Sequence, residues 1–381
     1  MRLRFLDSDV GRRLRRALSD QPQVMLVGGA VRDALLDVEP ANLDLWAPDP
    51  AVARAALGLE FGAPRTGLTR WDTFRWDHLP LPLRLDSGSR DLEANLRSRD
   101  FTVNALAVPL RAPAESRLVD PLRGADDAAE HRLRPVTSTS CAVEPARWMR
   151  AGRLIATRQL KPDISLRSAA ARGHRPLLHG VPTEARRLEL WALFSCPHRA
   201  DGLRWLSEVG LLAELVPAWG ELTARLDPDL GGRSAAEFSI AAVDALHRER
   251  WASLLEPPVL EALGRRLDAP VGPALGGWAL TAVALWLHRL APVHEVAADL
   301  ATLALHGLGA PPAEVRAVSR LVLHGGWLDH PGPLGVPELE AHAAVLDLCV
   351  REAQHGLESE AVRAGAAAAN RALPEYLSPR P

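Results

Sequence analysis

The sequence predicts an α+β fold in which a head built on a mixed sheet is followed by an all-helical remainder. Three observations lead there. Short β-prone runs recur near residues 23–27, 42–46, 68–77, 81–86 and 103–109, separated by helix-forming stretches. From about residue 140 the strand signals stop, and apolar residues recur at spacings of three and four, as at Leu188, Trp191, Leu193 and Phe194. The chain has 381 residues, more than the roughly 250–300 at which a single core stops growing, so two or more domains are expected.

The first strand signal is Val24 to Val27, an apolar run suited to burial. Gly28-Gly29 then makes a tight turn, and Ala30 to Leu36 is helix-forming with Leu35 and Leu36 as its apolar side. Paired glycines let a backbone approach a ligand closely, and free N–H groups opening a helix attract phosphate. Arg32 adds a charged donor. An ordinary strand-to-helix turn uses the same residues, so this segment alone does not decide between the two.

The second strand bears on that choice. Asn42-Leu43-Asp44-Leu45 alternates polar and apolar, which on a strand turns Asn42 and Asp44 to one face and Leu43 and Leu45 into the core. Two acids so placed suit a pair of divalent ions about 4 Å apart. Asn42 offers an oxygen but no charge, so a weaker metal site is expected.

Farther on, Leu92 to Ala107 reads L-E-A-N-L-R-S-R-D-F-T-V-N-A-L-A. With Gly28 to Asp44 it resembles the catalytic head of class II tRNA nucleotidyltransferases and bacterial poly(A) polymerases, whose pattern runs G-G-x-V-R-D, D-x-D, then R-R-D-F-T-x-N-A. Val119 to Gly124 and Val143 to Arg153 resemble that family's D-P-x-x-G and E-D-P-x-R-x-x-R-A-x-R segments in the same order. Gly202 to Leu206 and Gly210 to Pro217 resemble the helical region that follows, and the resemblance fades beyond about residue 225.

The resemblance implies a polymerase-beta-like nucleotidyltransferase head with a mixed sheet, followed by a helical neck, body and tail. In residue terms it implies an N-terminal helix over 1–20, a head over 21–138, an RNA- and nucleotide-binding neck over 139–225, and a degenerate HD-like body and tail over 226–381. The implied activity is template-independent addition of CMP or AMP to tRNA 3′ ends. The implied partners are a tRNA or other RNA 3′ end and CTP or ATP, with the oligomeric state left open. Asp44 with Asn42 and Asp86 would form the catalytic and Mg2+ set. Gly28, Gly29, Arg32 and Asp33 would face the triphosphate, and Arg99, Asp100 and Asn104 the phosphates and ribose. Glu144 and Arg147 would read the base, with Arg150 and Arg153 continuing toward the RNA. Glu144 and Arg147 lie three apart, so both can enter one pocket, and a simple ion pair between them is the alternative.

The chain departs from the family pattern at Asn42, at Asn95 where Asp is usual, at Ser98 in the paired arginines, and at Val143 and Glu144 in the base-reading segment. A third acid is expected near Leu83 to Asp86. The simplest register puts Arg84 there, and Asp86, two residues on, shares its face. Two readings follow: an active nucleotidyltransferase, and a paralogue that binds RNA or nucleotide without efficient addition.

A net charge of −2 is not that of a general nucleic-acid coat, but arginines cluster locally at 12–16, at 147, 150 and 153, and at 186–187. Lys161 is the only lysine. Cys141, Cys196 and Cys349 form no C-x-x-C pair and read as reduced thiols. Arg2, Arg4 and Asp7 interrupt any signal-peptide core, and no run approaches the roughly 20 apolar residues that cross a bilayer. A cytoplasmic location without membrane contact is expected. Trp286 to Arg289 and Leu323 to Gly326 sit where a related helical domain places a His–Asp metal pair. Arg289 in the acid's position predicts no metal there, and His288 and His324 read as partly buried histidines. Residues 365–369 and the proline-bearing end predict a fraying tail.

Overall fold

The computed structural model describes residues 3–66, 73–86, 89–111, 117–171, 178–224, 226, 232–270, 274–334 and 339–377. They fall into two compact units, Met1–Val143 with Leu160–His174, and Glu144–Gln159 with Arg175–Pro381.

The first unit is built on a six-stranded sheet. Its strands are β1 (Met25–Val27), β2 (Leu43–Trp46), β3 (Arg65–Thr66), β4 (Thr73–Trp76), β5 (Leu83–Asp86) and β6 (Ala107–Pro109), in the order β3-β4-β5-β2-β1-β6. The sheet is mixed, because β2 and β5 run parallel while the other neighbours are antiparallel. Alternation sorts its two faces as period two requires. Leu43, Leu45, Leu83, Leu85 and Trp76 are buried together with Leu14 and Leu18 around the helix Asp9–Ala17, and with Ala53, Leu57 and Phe61 of the helix Pro50–Phe61. The other face carries Asp44, Arg84, Asp86 and Arg75.

Two sequence expectations change here. Of the strand expected over 68–77, residues 73–76 form β4, while 67–72 lie outside the described residues. The strand expected from residue 103 begins only at Ala107, because Thr102–Asn104 is a single 3-10 turn closed by Ala105 N–H donating to Thr102 O at 2.9 Å. A further pair, β7 (Arg132–Leu133) and β8 (Lys161–Pro162), runs parallel within the same unit. Strand signals were expected to end before residue 140, and β8 escapes notice because it is two residues long and one of them is proline.

The second unit is helical. The helix Ala146–Arg158 ends at Gln159, whose φ of +53° is left-handed. Gly152 of that helix meets Gly202 of the helix Arg199–Glu208 at close range: a Cβ on Gly202 would lie 2.6 Å from Gly152 O. Trp148 and Trp205 stack beside this crossing with centroids 6.2 Å apart. Trp191, Trp219 and Trp286 are likewise core residues. Pro257 and Pro312 open the helices Pro257–Asp268 and Pro312–Leu323, where a missing N–H costs nothing. Of the tail expected to fray, residues 365–369 lie instead in the helix Glu360–Leu377 with Val362, Gly365, Ala366, Ala369 and Leu373 buried, so its small residues serve close packing; residues 378–381 lie outside the described residues. No helix among the described residues is long and apolar enough to cross a membrane.

Candidate functional site

The face of the head sheet that carries Asp44, near where β1 gives way to the helix Gly29–Leu35, gathers most of the candidate residues; over β1 and β2 this face is covered by Leu96, Ala105 and Ala107. Gly28 has φ +76°, a backbone that side-chain-bearing residues resist. Its N–H donates to Leu106 O at 2.9 Å. A Cβ at this position would overlap Arg99 Nη1 and lie 3.6 Å from Asp44 Oδ2. The Arg99 guanidinium and the Asp44 carboxylate therefore close directly on the turn.

Asp44 sits in register between Val27 on β1 and Arg84 on β5. Its Oδ1 accepts the Asn42 side-chain amide at 2.8 Å, so the two residues share a face as the alternation predicts. The register sets Asp86 opposite Trp46, two residues beyond Arg84 on the same face. Asp86 Oδ2 accepts from Asn95 Nδ2 at 2.7 Å and lies 3.9 Å from Arg99 Nη2. Asn95 Oδ1 in turn receives Arg99 Nε and Nη2 at 3.4 and 3.3 Å. Asn95 thus joins an acid to the arginine, a part that the family pattern alone does not give it. The spacing of four between Asn95 and Arg99 is the signal that points to it. Asp91 caps the helix Leu92–Arg97, which carries Asn95 and ends two residues before Arg99, by accepting the N–H groups of Glu93 and Ala94.

Four other candidates form a buried network beside the turn. Arg32 Nε and Nη2 donate to Asp33 Oδ1 at 2.9 and 2.7 Å, and Nη1 to Asn104 Oδ1 at 2.5 Å. Asn104 Nδ2 reaches Asp100 Oδ1 at 2.8 Å, which also receives the Phe101 N–H at 2.7 Å. All four residues are less than a tenth exposed. A Cβ on Gly29 would lie 3.4 Å from Arg32 Nη2, so the bare glycine gives the buried guanidinium room to pack against the turn.

Asp44 and Asp86 bring carboxylates to this site, and Asn42 meets Asp44 through its amide nitrogen. Among the described residues, no group of three or more His, Cys, Asp or Glu side chains stands ready to hold a metal ion.

The remaining candidates belong to the second unit. Arg147 Nε and Nη2 both lie 3.0 Å from Glu144 Oε2, with Arg147 nearly buried. Arg150 Nε and Arg153 Nε meet the two oxygens of Glu189 on the helix Thr183–Phe194, at 3.2 and 2.5 Å. Burial acts to raise the Glu189 pKa, and Arg153 and Arg150 together more than offset it, so the carboxyl titrates below its usual range. Of the expected cationic stripe, Arg150 and Arg153 are therefore tied to one acid of the helix Thr183–Phe194 and Arg147 to Glu144. Elsewhere in this unit His288 Nδ1 lies 2.5 Å from Leu285 O, and burial lowers its pKa to about 3. Arg289 packs over the Phe238 ring at 5.3 Å from its centroid.

No protein-family model matches the chain. It is 32% identical over 325 residues to an A-adding tRNA nucleotidyltransferase of Deinococcus radiodurans, a match covering 79% of this chain and 68% of that protein. A CC-adding tRNA nucleotidyltransferase of Geobacter sulfurreducens is 29% identical over 341 residues, covering 86% of this chain and 71% of the relative. A CC-adding counterpart from Synechocystis sp. is 31% identical over 198 residues, half of this chain and 46% of the relative. Among solved structures, the Bacillus stearothermophilus CCA-adding enzyme in complex with CTP shares the fold with a TM-score of 0.61 at 21% identity, covering 98% of this chain and 83% of that one.

Proposed function

The chain belongs to the tRNA nucleotidyltransferase family, and on that premise we propose that it is a template-independent RNA nucleotidyltransferase adding CMP or AMP to tRNA 3′ ends. The observation that carries this reading is the closure of Arg99 and Asp44 on the Gly28 turn. A glycine with left-handed backbone, a guanidinium above it and a carboxylate beside it are what a triphosphate and its counter-ion need at one point.

The donor set is all oxygen, which suits Mg2+: Asp44, with Asn42 and Asp86, would hold the ion, which neutralises the triphosphate and favours deprotonation of the attacking 3′ hydroxyl. Arg99 meets the phosphates, exchanging its long bonds to Asn95 for stronger charge-assisted ones. Arg32, neutralised by Asp33 and tied through Asn104 to Asp100, keeps the turn rigid from beneath. In the second unit, Glu144 offers an acceptor and Arg147 donors to the edge of the incoming base. Arg150 and Arg153 position that helix through Glu189. In this scheme residues 21–138 act on the nucleotide, 139–225 select it and bind RNA, and 226–381 form a body and tail of degenerate HD type.

A second reading, binding of nucleotide and RNA without efficient transfer, rests on Asn42, whose amide satisfies Asp44 without supplying charge. Incorporation of labelled CTP or ATP into tRNA lacking its 3′ end decides between the two. Mg2+-dependent extension by one to three nucleotides is the expected result. Nucleotide and tRNA binding with no extension would overturn the transfer reading in favour of the second.

A further inference from the structure

Strand register lines up four charged residues across one face of the head sheet. Asp44 on β2 pairs with Arg84 on β5, Arg84 with Arg75 on β4, and Arg75 with Arg65 on β3. Directly paired residues share a face, and the alternate positions Leu43, Leu45, Leu83, Leu85 and Trp76 are buried on the other. With strands about 4.8 Å apart, the row runs about 14 Å from Asp44 to the edge of the sheet.

Like charges directly opposite one another weaken a sheet, so pairing energetics give no reason for three arginines in register. Of the three, Arg75 alone is hydrogen-bonded to an acid among the described residues, Asp77 Oδ1 receiving its Nε at 3.2 Å and Nη2 at 3.1 Å, while Arg84 has Asp44 as its cross-strand neighbour. Arg65 is exposed. Arg84 carries a buried Nε that has no hydrogen-bond partner, while Asp44 across from it accepts from Asn42. The row leads away from the Gly28 turn, since β1 lies on the opposite flank of β2.

We propose that Arg65, Arg75 and Arg84 form a track for the backbone phosphates of the acceptor RNA strand, leading its 3′ end across β3, β4 and β5 to Asp44. Arginine suits this use because its planar fork grips phosphate oxygens in pairs. Nucleotide and RNA then reach Asp44 from opposite flanks of one strand, which brings a hydroxyl and a triphosphate together without either crossing the other. The track rests on the transfer reading for the identity of its RNA, and on the sheet register for its position. A nucleoside triphosphate is the other source of phosphate, and the direction of the row away from Gly28 disfavours it.

The test measures anisotropy of a fluorescent tRNA lacking its 3′ end, without nucleotide, and calorimetry with CTP and ATP. The proteins are the full chain and its Arg65→Ala, Arg75→Ala and doubly substituted forms. The double variant is expected to bind the tRNA about tenfold more weakly, with a salt dependence shallower by about 0.7 for each phosphate no longer neutralised. Its nucleotide affinity is expected to stay within about twofold of the parent, a change smaller than removal of a phosphate-binding arginine usually brings. Arg75→Lys, which keeps the charge, should recover part of the tRNA affinity. Unchanged tRNA binding overturns the track, and weakened nucleotide binding with unchanged tRNA binding reassigns the row to the triphosphate. A parent protein that transfers nothing, beside a double variant that no longer holds tRNA, removes the transfer reading and leaves the track standing.

Discussion

The side-chain amide of Asn42 donates to Oδ1 of Asp44 at 2.8 Å, so the residue standing where an acid is usual holds the remaining acid in place. A second carboxylate at that distance would repel the first unless a cation lay between them. Asn42 removes the repulsion and, with it, part of the attraction for the cation.

Replacing the amide should therefore act in two directions. Asn42→Asp is expected to raise Mg2+-dependent nucleotide addition roughly a hundredfold, equivalent to about 2.7 kcal/mol of transition-state stabilisation. It should also lower the melting temperature of the metal-free protein and make that temperature rise with added Mg2+. Initial rates and thermal melts with and without the ion read both effects. An unchanged rate would mean that Asn42 does not limit the reaction.

Gly28→Ala should weaken nucleotide binding while leaving the protein folded. The backbone strain of a side chain at φ +76° and ψ −132° is about 1–3 kcal/mol, and the new Cβ must displace Arg99 Nη1, the tip of a flexible side chain. Calorimetry with CTP or ATP is expected to show affinity reduced about tenfold or more, as when a charge-assisted hydrogen bond is removed, with the fold retained by circular dichroism. Retained affinity would show that Arg99 does not need the space above the turn.

Gly202→Ala tests the helix crossing in the second unit. The added methyl would meet the Gly152 carbonyl at 2.6 Å, and backbone cannot turn away as a side chain can. A loss of about 1–3 kcal/mol in unfolding free energy is expected from urea titration. Gly220→Ala, whose Cβ would lie 3.6 Å from that of Ala213, should be nearly neutral in the same assay.

Stability should also fall with acid. Burial lowers the pKa of His288 to about 3 and of His342 to about 4, from 6.5. Each favours the folded state above pH 6.5, and that contribution is lost as pH falls toward the folded value, by about 1.4 kcal/mol per pH unit for each histidine. Asp347 works the other way: burial raises its pKa from 3.8 to about 6, so it favours folding increasingly as pH drops through that interval. Urea midpoints between pH 7 and 4.5 should fall, and Asp347→Asn should steepen the fall by removing the opposing group. A flat profile would show that the buried histidines become protonated without cost.

Much of the head was legible because its signals are local. A period of two is enough to put Asn42 and Asp44 on one side and Leu43 and Leu45 on the other, and Gly28 announces a turn by its own chemistry. What stayed hidden depends on partners remote in sequence. Arg32 reads as a phosphate donor until Asn104, 72 residues later, is found on its Nη1. Arg150 and Arg153 read as a free stripe until Glu189 arrives from the helix Thr183–Phe194. The row from Asp44 to Arg65 is invisible in sequence because register across β5, β4 and β3 is a property of pairing, which spacing along the chain does not encode.

The strand pair β7 and β8 bears on how the protein is made. Residues 132–133 acquire their partner only when Lys161 and Pro162 have been synthesised, after the whole of the helix Ala146–Arg158, which belongs to the other unit. On the ribosome the head therefore stays unfinished while the first helix of the second unit emerges, and the two cannot ripen strictly in turn. Nor can either unit be excised with a single cut. A fragment ending at Val143 lacks β8, and with it the 2.7 Å bond from Lys161 N–H to His131 O and the 3.1 Å bond from Asp163 N–H to Leu133 O. A junction placed at the apparent border between sheet and helices would part β7 from β8.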